Sequence, residues 1–134
     1  MFLNKRYAQA SAAFIKAGRS REVAICNAYL LREKARSIPT TASTTRIQAF
    51  IIAANAFAAL ARDSPSKRVN ERLAYYKASG ECYSEARDLK SAGDSYRMAE
   101  QYAAAASAYR EGGYSDELVE VIKVYFNEHL SEYP

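Results

Sequence analysis

The chain has 134 residues, 49% hydrophobic and 25% charged, with a formal net charge of +4 at pH 7. That length suits one globular domain over residues 1–134, which would bury roughly two-thirds of its unfolded surface. The longest apolar stretches fall short of the roughly 20 residues of a membrane span, and the basic start lacks the apolar segment of a secretory signal, so we expect no membrane partner.

The chain predicts an all-α fold. It is rich in alanine, the best helix former, has only three prolines and five glycines, and its β-branched residues never alternate with polar ones. The predicted helices run over about Lys5–Ala17, Ser20–Arg36, Thr45–Arg62, Ser66–Ala86, Asp88–Met98, Gln101–Glu111 and Ser115–Asn127.

Prolines, hydroxyl residues and glycines mark the predicted breaks between these helices. Pro39 ends the second helix, because the residue before a proline avoids the α region. The loop over residues 39–45 offers a hydroxyl N-cap at one of positions 43–45, and Ser66 offers another. Gly112 and Gly113 predict a helix stop with a flexible corner.

One stripe recurs along the chain. Large, small, aromatic and small residues stand at offsets 0, +3, +7 and +10, on one face of a helix, and several copies lie thirteen residues apart. This period predicts short helices in antiparallel hairpins, stacked as an α-α superhelix of about seven helices. The residues expected to pack the repeats are Tyr7, Phe14, Phe50, Phe57, Tyr76, Gly80, Tyr83, Ala92, Tyr96, Ala99, Tyr102 and Tyr109.

Charge divides the chain into a basic and an acidic half. Residues 1–77 hold 14 Lys/Arg against 4 Asp/Glu, whereas residues 78–134 hold 5 against 11. Three interpretations stay open for the basic half: a solvated exterior, contact with an acidic half of the same or another chain, and a nucleic-acid surface. The candidate binding residues are Tyr29, Arg32, Arg36, Arg46, Arg62, Lys67, Arg68 and Arg72.

No catalytic, cofactor or metal constellation emerges from the residues. His129 is the only histidine, and a helix C-terminus explains it better than a catalytic triad does. The last predicted helix carries Asp116, Glu117 and Glu120 near its N-terminal end. Their position favours stabilisation of the helix dipole over a role in acid–base chemistry. We therefore expect a non-catalytic segment without a cofactor.

Two further features bear on location and partners. Cys26 and Cys82 lie far apart without framework spacing, which indicates buried thiols in a reducing intracellular compartment, cytoplasm or nucleus. Residues 121–126, VIKVYF, are apolar on most sides of a helix, so we expect either further helices beyond them or self-association.

The stretch from Tyr76 to Ala99 resembles a tetratricopeptide repeat. The aromatic, glycine and alanine positions of that motif are occupied by Tyr76, Gly80, Tyr83, Ala92, Tyr96 and Ala99. A tyrosine replaces the usual tryptophan, and Ala104 stands at the closing proline position. The chain is thus tetratricopeptide-like without being a regular array.

A second resemblance covers most of the chain. YAQASAAFIKAG, AYLLREKARSIP and RIQAFIIAANAF look like the helical-repeat region of large fungal proteins with a UvrD-like superfamily-1 helicase core, which are similar to vertebrate tetratricopeptide and ankyrin repeat-containing proteins. The resemblance implies a segment of a larger protein whose motor lies elsewhere, and no P-loop motif occurs in this chain.

Two functions follow as hypotheses. The first is a protein–protein interaction scaffold that binds a protein partner or other domains of its parent chain. The alternative is an accessory nucleic-acid-binding module, in which the Arg/Lys face contacts phosphates and Tyr29 stacks on a base.

Overall fold

A computed structural model describes residues 8–10, 20–65 and 67–129 of the chain. Residues 8–10 are helical, and no described residue lies in a strand. The helices that follow are α1 (Ser20–Ser37), α2 (Ser43–Asp63), α3 (Val69–Glu85), α4 (Leu89–Met98), α5 (Tyr102–Gly112) and α6 (Ser115–His129). The all-α prediction is therefore confirmed.

Each helix packs chiefly against the next one in the chain. Two ion pairs show that neighbouring helices run in opposite directions. Arg21, at the start of α1, lies 2.7 Å from Glu71 at the start of α3, and Arg46, at the start of α2, lies 3.6 Å from Glu85 at the end of α3. The order is thus up and down along the row, while the predicted superhelix stays a prediction.

The larger core surrounds α2, whose buried face carries two fully buried rings, Phe50 and Phe57. Tyr29 of α1 meets Phe57 edge to face at 5.2 Å between centroids, and Tyr75 of α3 stacks on its other side at 6.4 Å. Both arrangements suit the quadrupoles of aromatic rings. By length and composition alone α2 could also cross a membrane, a property that central helices of globular cores share.

The smaller core lies between the short helices, where tyrosine rings lie directly on glycines. A Cβ placed on Gly93 would lie 2.5 Å from Cε1 of the fully buried Tyr109, and one placed on Gly80 would lie 2.9 Å from Cδ1 of Tyr96. The missing side chain of a glycine in one helix therefore admits a ring from the next helix in the chain. The Tyr109 hydroxyl donates a hydrogen bond to Asp94 at the edge of this core.

The corners between the short helices repeat every thirteen residues. Arg87, Glu100 and Gly113 have φ values of 62°, 60° and 78°, in the left-handed region. The amide of the residue after each donates to a carbonyl five residues back, as from Asp88 to Tyr83 at 3.0 Å. This is the Schellman motif that closes α3, α4 and α5.

Helix ends agree with the sequence predictions to within three residues, but the N-cap prediction for residues 43–45 is wrong. α2 begins at Ser43, so that Ala42 occupies the N-cap position and makes no side-chain cap hydrogen bond. The helix gains its first turn because the amide of Arg46 reaches the carbonyl of Ala42 at 2.9 Å. Tyr7, Phe14 and the Ser66 cap lie outside the described residues, and of the predicted first helix only residues 8–10 are described.

Candidate functional site

Three of the candidate binding residues converge in one groove, which we call the arginine groove. Arg32 and Arg36 approach from the end of α1, and Arg46 approaches from the start of α2. The groove has a volume of about 400 Å³. Its other lining residues, from α2, α3 and α4, are Phe50, Glu81, Cys82, Ser84, Glu85 and Tyr96.

Aromatic rings hold two of these guanidinium groups in place. The Cζ of Arg32 lies 4.8 Å from the Tyr29 ring centroid and 5.4 Å from that of Phe57. The Cζ of Arg46 lies 4.7 Å from the Phe50 ring centroid. All three distances are within the cation–π range. The Tyr29 ring therefore packs against Arg32 and Phe57. This is the ring that the sequence suggested could stack on a base.

Glutamates balance the positive charge of the arginine groove. Glu33 accepts a hydrogen bond from Arg36 at 2.9 Å and lies 3.7 Å from Arg32, while Glu85 lies 3.6 Å from Arg46. An incoming phosphate or carboxylate must compete with these partners. The groove is thus a polar, nearly charge-balanced site, and Arg36, half-exposed, is its most accessible cation.

Cys82 forms part of the floor of this groove and is almost fully buried. Burial raises the pKa of its thiol to about 11, although the nearby Arg32 and Arg36 act in the opposite direction. A protonated thiol is a poor nucleophile at neutral pH. Cys82 therefore packs the groove without supplying a reactive group.

The other basic candidates lie elsewhere. Arg62 is sixteen residues from Arg46 on α2, which places them roughly 24 Å apart along the helix axis. Arg62 lines a shallow groove with Tyr76 and Tyr83. The remaining candidates, Lys67, Arg68 and Arg72, stand at the turn into α3 or on its first residues.

At that turn the charges are again paired. Arg68 lies 3.5 Å from Glu71, which also accepts a hydrogen bond from Arg21 at 2.7 Å. This bond to Arg21 lowers the pKa of Glu71 and raises that of Arg21. The structure therefore divides the predicted basic surface into two separate sites, one at each end of α2.

The repeat-packing candidates lie along the interfaces between helices. Among those described, the buried ones are Phe50, Phe57, Tyr76, Gly80, Ala92, Ala99 and Tyr109, and the half-buried ones are Tyr83, Tyr96 and Tyr102. The hydroxyl of Tyr83 donates to Asn55 of α2 at the wet edge of the core. These rings thus contact neighbouring helices, and the hydroxyls of Tyr83 and Tyr109 also reach polar side chains.

A second groove, which we call the α5–α6 groove, is apolar. It has a volume of about 400 Å³ and is lined by Tyr102, Ala103, Ala106, Val121, Ile122, Tyr125 and Phe126. Val121 is fully buried against Tyr109 and Ala105, whereas Ile122 and Phe126 are 42% and 51% exposed. One side of α6 therefore packs on α5, and a second apolar side stays open.

Sequence reasoning missed the glutamates of the arginine groove. Glu85 could have been found, because an antiparallel hairpin of the predicted third and fourth helices places the end of one beside Arg46 at the start of the other. Glu33 lies three residues before Arg36 on the same helix face, a spacing that also predicts an ion pair.

Among the described residues, no group of three His, Cys, Asp or Glu side chains could hold a metal ion. Comparison with protein-family models, with curated proteins and with solved structures finds no match for this chain. The tetratricopeptide and helicase-associated resemblances therefore stay predictions from the sequence.

Proposed function

We propose that this chain is a non-catalytic interaction scaffold that binds another protein through the open apolar side of its last helix. The observation that carries the proposal is the α5–α6 groove, where Ile122, Tyr125 and Phe126 are each between 42% and 51% exposed, with Val119, 48% exposed, on the same helix. Clustered exposed apolar side chains mark interaction surfaces, whereas single ones do not. The row of antiparallel helices behind the groove supplies a preformed support.

A random-peptide display selection tests this function without assuming a partner. The full chain is used as bait beside the variant Ile122→Asp/Phe126→Asp, which changes only exposed positions, and beside Lys77→Glu, an exposed position on α3, as a matched surface control. We expect enriched peptides that lose binding to the first variant and keep it with the second. Peptides that bind all three proteins equally would reject the proposed surface.

The arginine groove supports nucleic-acid binding as a second candidate function. Arg32, Arg36 and Arg46 line one site, and arginine forks suit phosphate contacts. The pairing of these groups with Glu33 and Glu85 lowers the affinity expected for a phosphate backbone.

Anisotropy of a labelled single-stranded oligonucleotide, titrated at several salt concentrations, tests this second candidate. Binding tighter than about 10⁻⁵ M that weakens steeply with salt would support it. Arg36→Glu should then abolish binding while leaving the thermal unfolding unchanged, because this side chain is half-exposed. Lys77→Glu, at an exposed position in the middle of α3, is the control. No binding at low salt would reject this candidate.

A further inference from the structure

We propose that the α5–α6 groove binds an amphipathic α-helix whose polar face carries lysine or arginine. This inference rests on the proposed scaffold function and specifies the partner of that same surface. It follows from the spacing of the exposed apolar residues, from the shape of the groove and from the charge around it.

The spacing of the exposed residues points to a helical partner. Val119, Ile122 and Phe126 stand at i, i+3 and i+7 on α6, so their side chains form one stripe along the helix. A stripe with this spacing meets a second helix along its length, as in other helix-in-groove complexes. The neighbouring stripe, with Leu118 and Val121, lies about 100° around the helix and already packs on α5.

The shape of the groove suits the side chains of an apolar helix face. Ala103 and Ala106 of α5 form a shallow floor, and the rings of Tyr102, Tyr125 and Phe126 stand around it. Tyr125 and Phe126 meet edge to face at 6.3 Å between centroids, which gives the wall a fixed shape. Small residues between large rings form a hole for a leucine-like side chain.

The charge around the groove decides between partners. Residues 99–129 hold six acidic groups against two basic ones. Glu128 and Glu100 lie beside Tyr102, a lining residue of the groove: burial, a hydrogen bond to Glu128 and the charge of Glu100 together raise the pKa of this tyrosine to about 12. A basic helix would meet carboxylates on the rim while its apolar face entered the groove.

A second copy of the chain fits this surface less well. Two α6 helices placed face to face would bring two acidic rims together, and like charges at an interface are unfavourable. Four half-exposed side chains also offer on the order of 400 Å² per copy, against the roughly 800 Å² of a standard interface. A helix that enters the groove needs less area than a flat dimer face.

The test uses the full chain and three synthetic 18-residue peptides with a fluorescent label. The first has leucines at i, i+3, i+4 and i+7 with lysines on the opposite face, the second replaces each lysine by glutamate, and the third scrambles the first. We expect anisotropy to show the lysine peptide binding at least tenfold tighter than either of the others. Equal binding by the scrambled peptide would reduce the effect to charge alone and overturn the proposal.

Two variants test whether the lysine peptide binds in the α5–α6 groove. Ala103→Arg adds a long charged side chain at an exposed position of the groove floor, and Ile122→Asp/Phe126→Asp removes the stripe. Each should weaken the lysine peptide at least tenfold, with circular dichroism and thermal unfolding measured alongside. Lys77→Glu on α3 should leave the affinity within twofold. Unchanged affinity in both groove variants would overturn the proposal.

The rim variant Glu100→Lys/Glu128→Lys should reverse the preference, so that the glutamate peptide becomes the tighter ligand. Tighter binding of the glutamate peptide by the unmodified chain would overturn the inferred partner charge and leave the scaffold function standing. Concentration-dependent dimers in analytical ultracentrifugation that Ile122→Asp/Phe126→Asp abolishes would identify a second copy as the occupant and overturn the helix proposal. If no peptide binds and the display selection also fails, the scaffold function fails with it.

Discussion

The long helices α1–α3 and the short helices α4–α6 solve the same packing problem in different ways. In the first region, helices of 17 to 21 residues present alanines to one another and bury whole phenylalanine rings between them. In the second, helices of 10 to 15 residues pack tyrosine rings onto glycines, Gly80 of α3 among them, and left-handed residues close the corners after α3, α4 and α5. A short helix has little surface to bury. The short helices therefore pack by close approach to their neighbours and not by a long interface.

The long-helix region should lose most from a single truncation. Phe57→Ala removes a ring that is fully buried between Tyr29 and Tyr75 and also lies near Arg32. We expect a loss of about 3–5 kcal/mol in the free energy of unfolding, measured by urea denaturation. Val121→Ala, in the short-helix core, should cost roughly 2 kcal/mol, because fewer buried atoms are removed. Equal losses would mean that the two cores are equally extensive.

The two glycine–tyrosine contacts should differ in the stability lost when alanine replaces the glycine, because one tyrosine is fully buried and the other can move. Gly93→Ala places a Cβ against the fully buried Tyr109, so we expect a loss of about 2 kcal/mol from overpacking. Gly80→Ala meets the half-buried Tyr96, which can shift outward, and the gain in helix propensity offsets the cost to within about 1 kcal/mol. Denaturation of both variants checks the order, and a larger loss for Gly80→Ala would contradict it.

Both regions contain tyrosines that should make the stability of the chain fall at alkaline pH. Burial raises the pKa of Tyr75 and Tyr102 to about 12 and also raises that of Tyr109, where Asp94 adds to the effect. These hydroxyls stay protonated in the native state above pH 10, where an unfolded tyrosine ionises, so unfolding releases protons. The contribution of these tyrosines to the free energy of unfolding should therefore be fully present below pH 10 and be lost from about pH 10 toward 12.

Tyr109→Phe isolates one contribution to this slope. Each tyrosine that ionises only on unfolding adds about 1.4 kcal/mol per pH unit, so the variant should show a slope shallower by up to that amount between pH 10 and 11. Urea titrations at pH 8, 10 and 11 measure it. An unchanged slope would mean that Tyr109 ionises equally in both states.

Much of the fold could be predicted from the sequence, because it depends on local rules. Alanine content, proline breaks and the thirteen-residue stripe placed the helices, and the glycine pair marked the corner at Gly113. The equivalent corners at Arg87 and Glu100 carry no such signal, since neither residue is a glycine and the same backbone hydrogen bonds close the corner. The candidate site was harder to predict, because it depends on contacts between helices. The sequence shows a basic half and the i,i+3 spacing of Glu33 and Arg36, but the packed helices bring Arg32, Arg36 and Arg46 into one groove and place Glu85 beside Arg46.

The corners offer the finest comparison, since one conformation is held by glycine at one position and by a longer residue at another. Glu100→Gly should stabilise the chain by up to about 1 kcal/mol, because a residue with a Cβ is strained at a φ of 60°. Gly113→Ala should cost about 1 kcal/mol, although nothing lies within 4 Å of the added Cβ, so that the loss reports backbone strain alone. Gly113→Asn, which tolerates this region better, should cost less than Gly113→Ala in the same denaturation series. Equal losses for the alanine and asparagine variants would show that the corner leaves the left-handed region when its glycine is replaced.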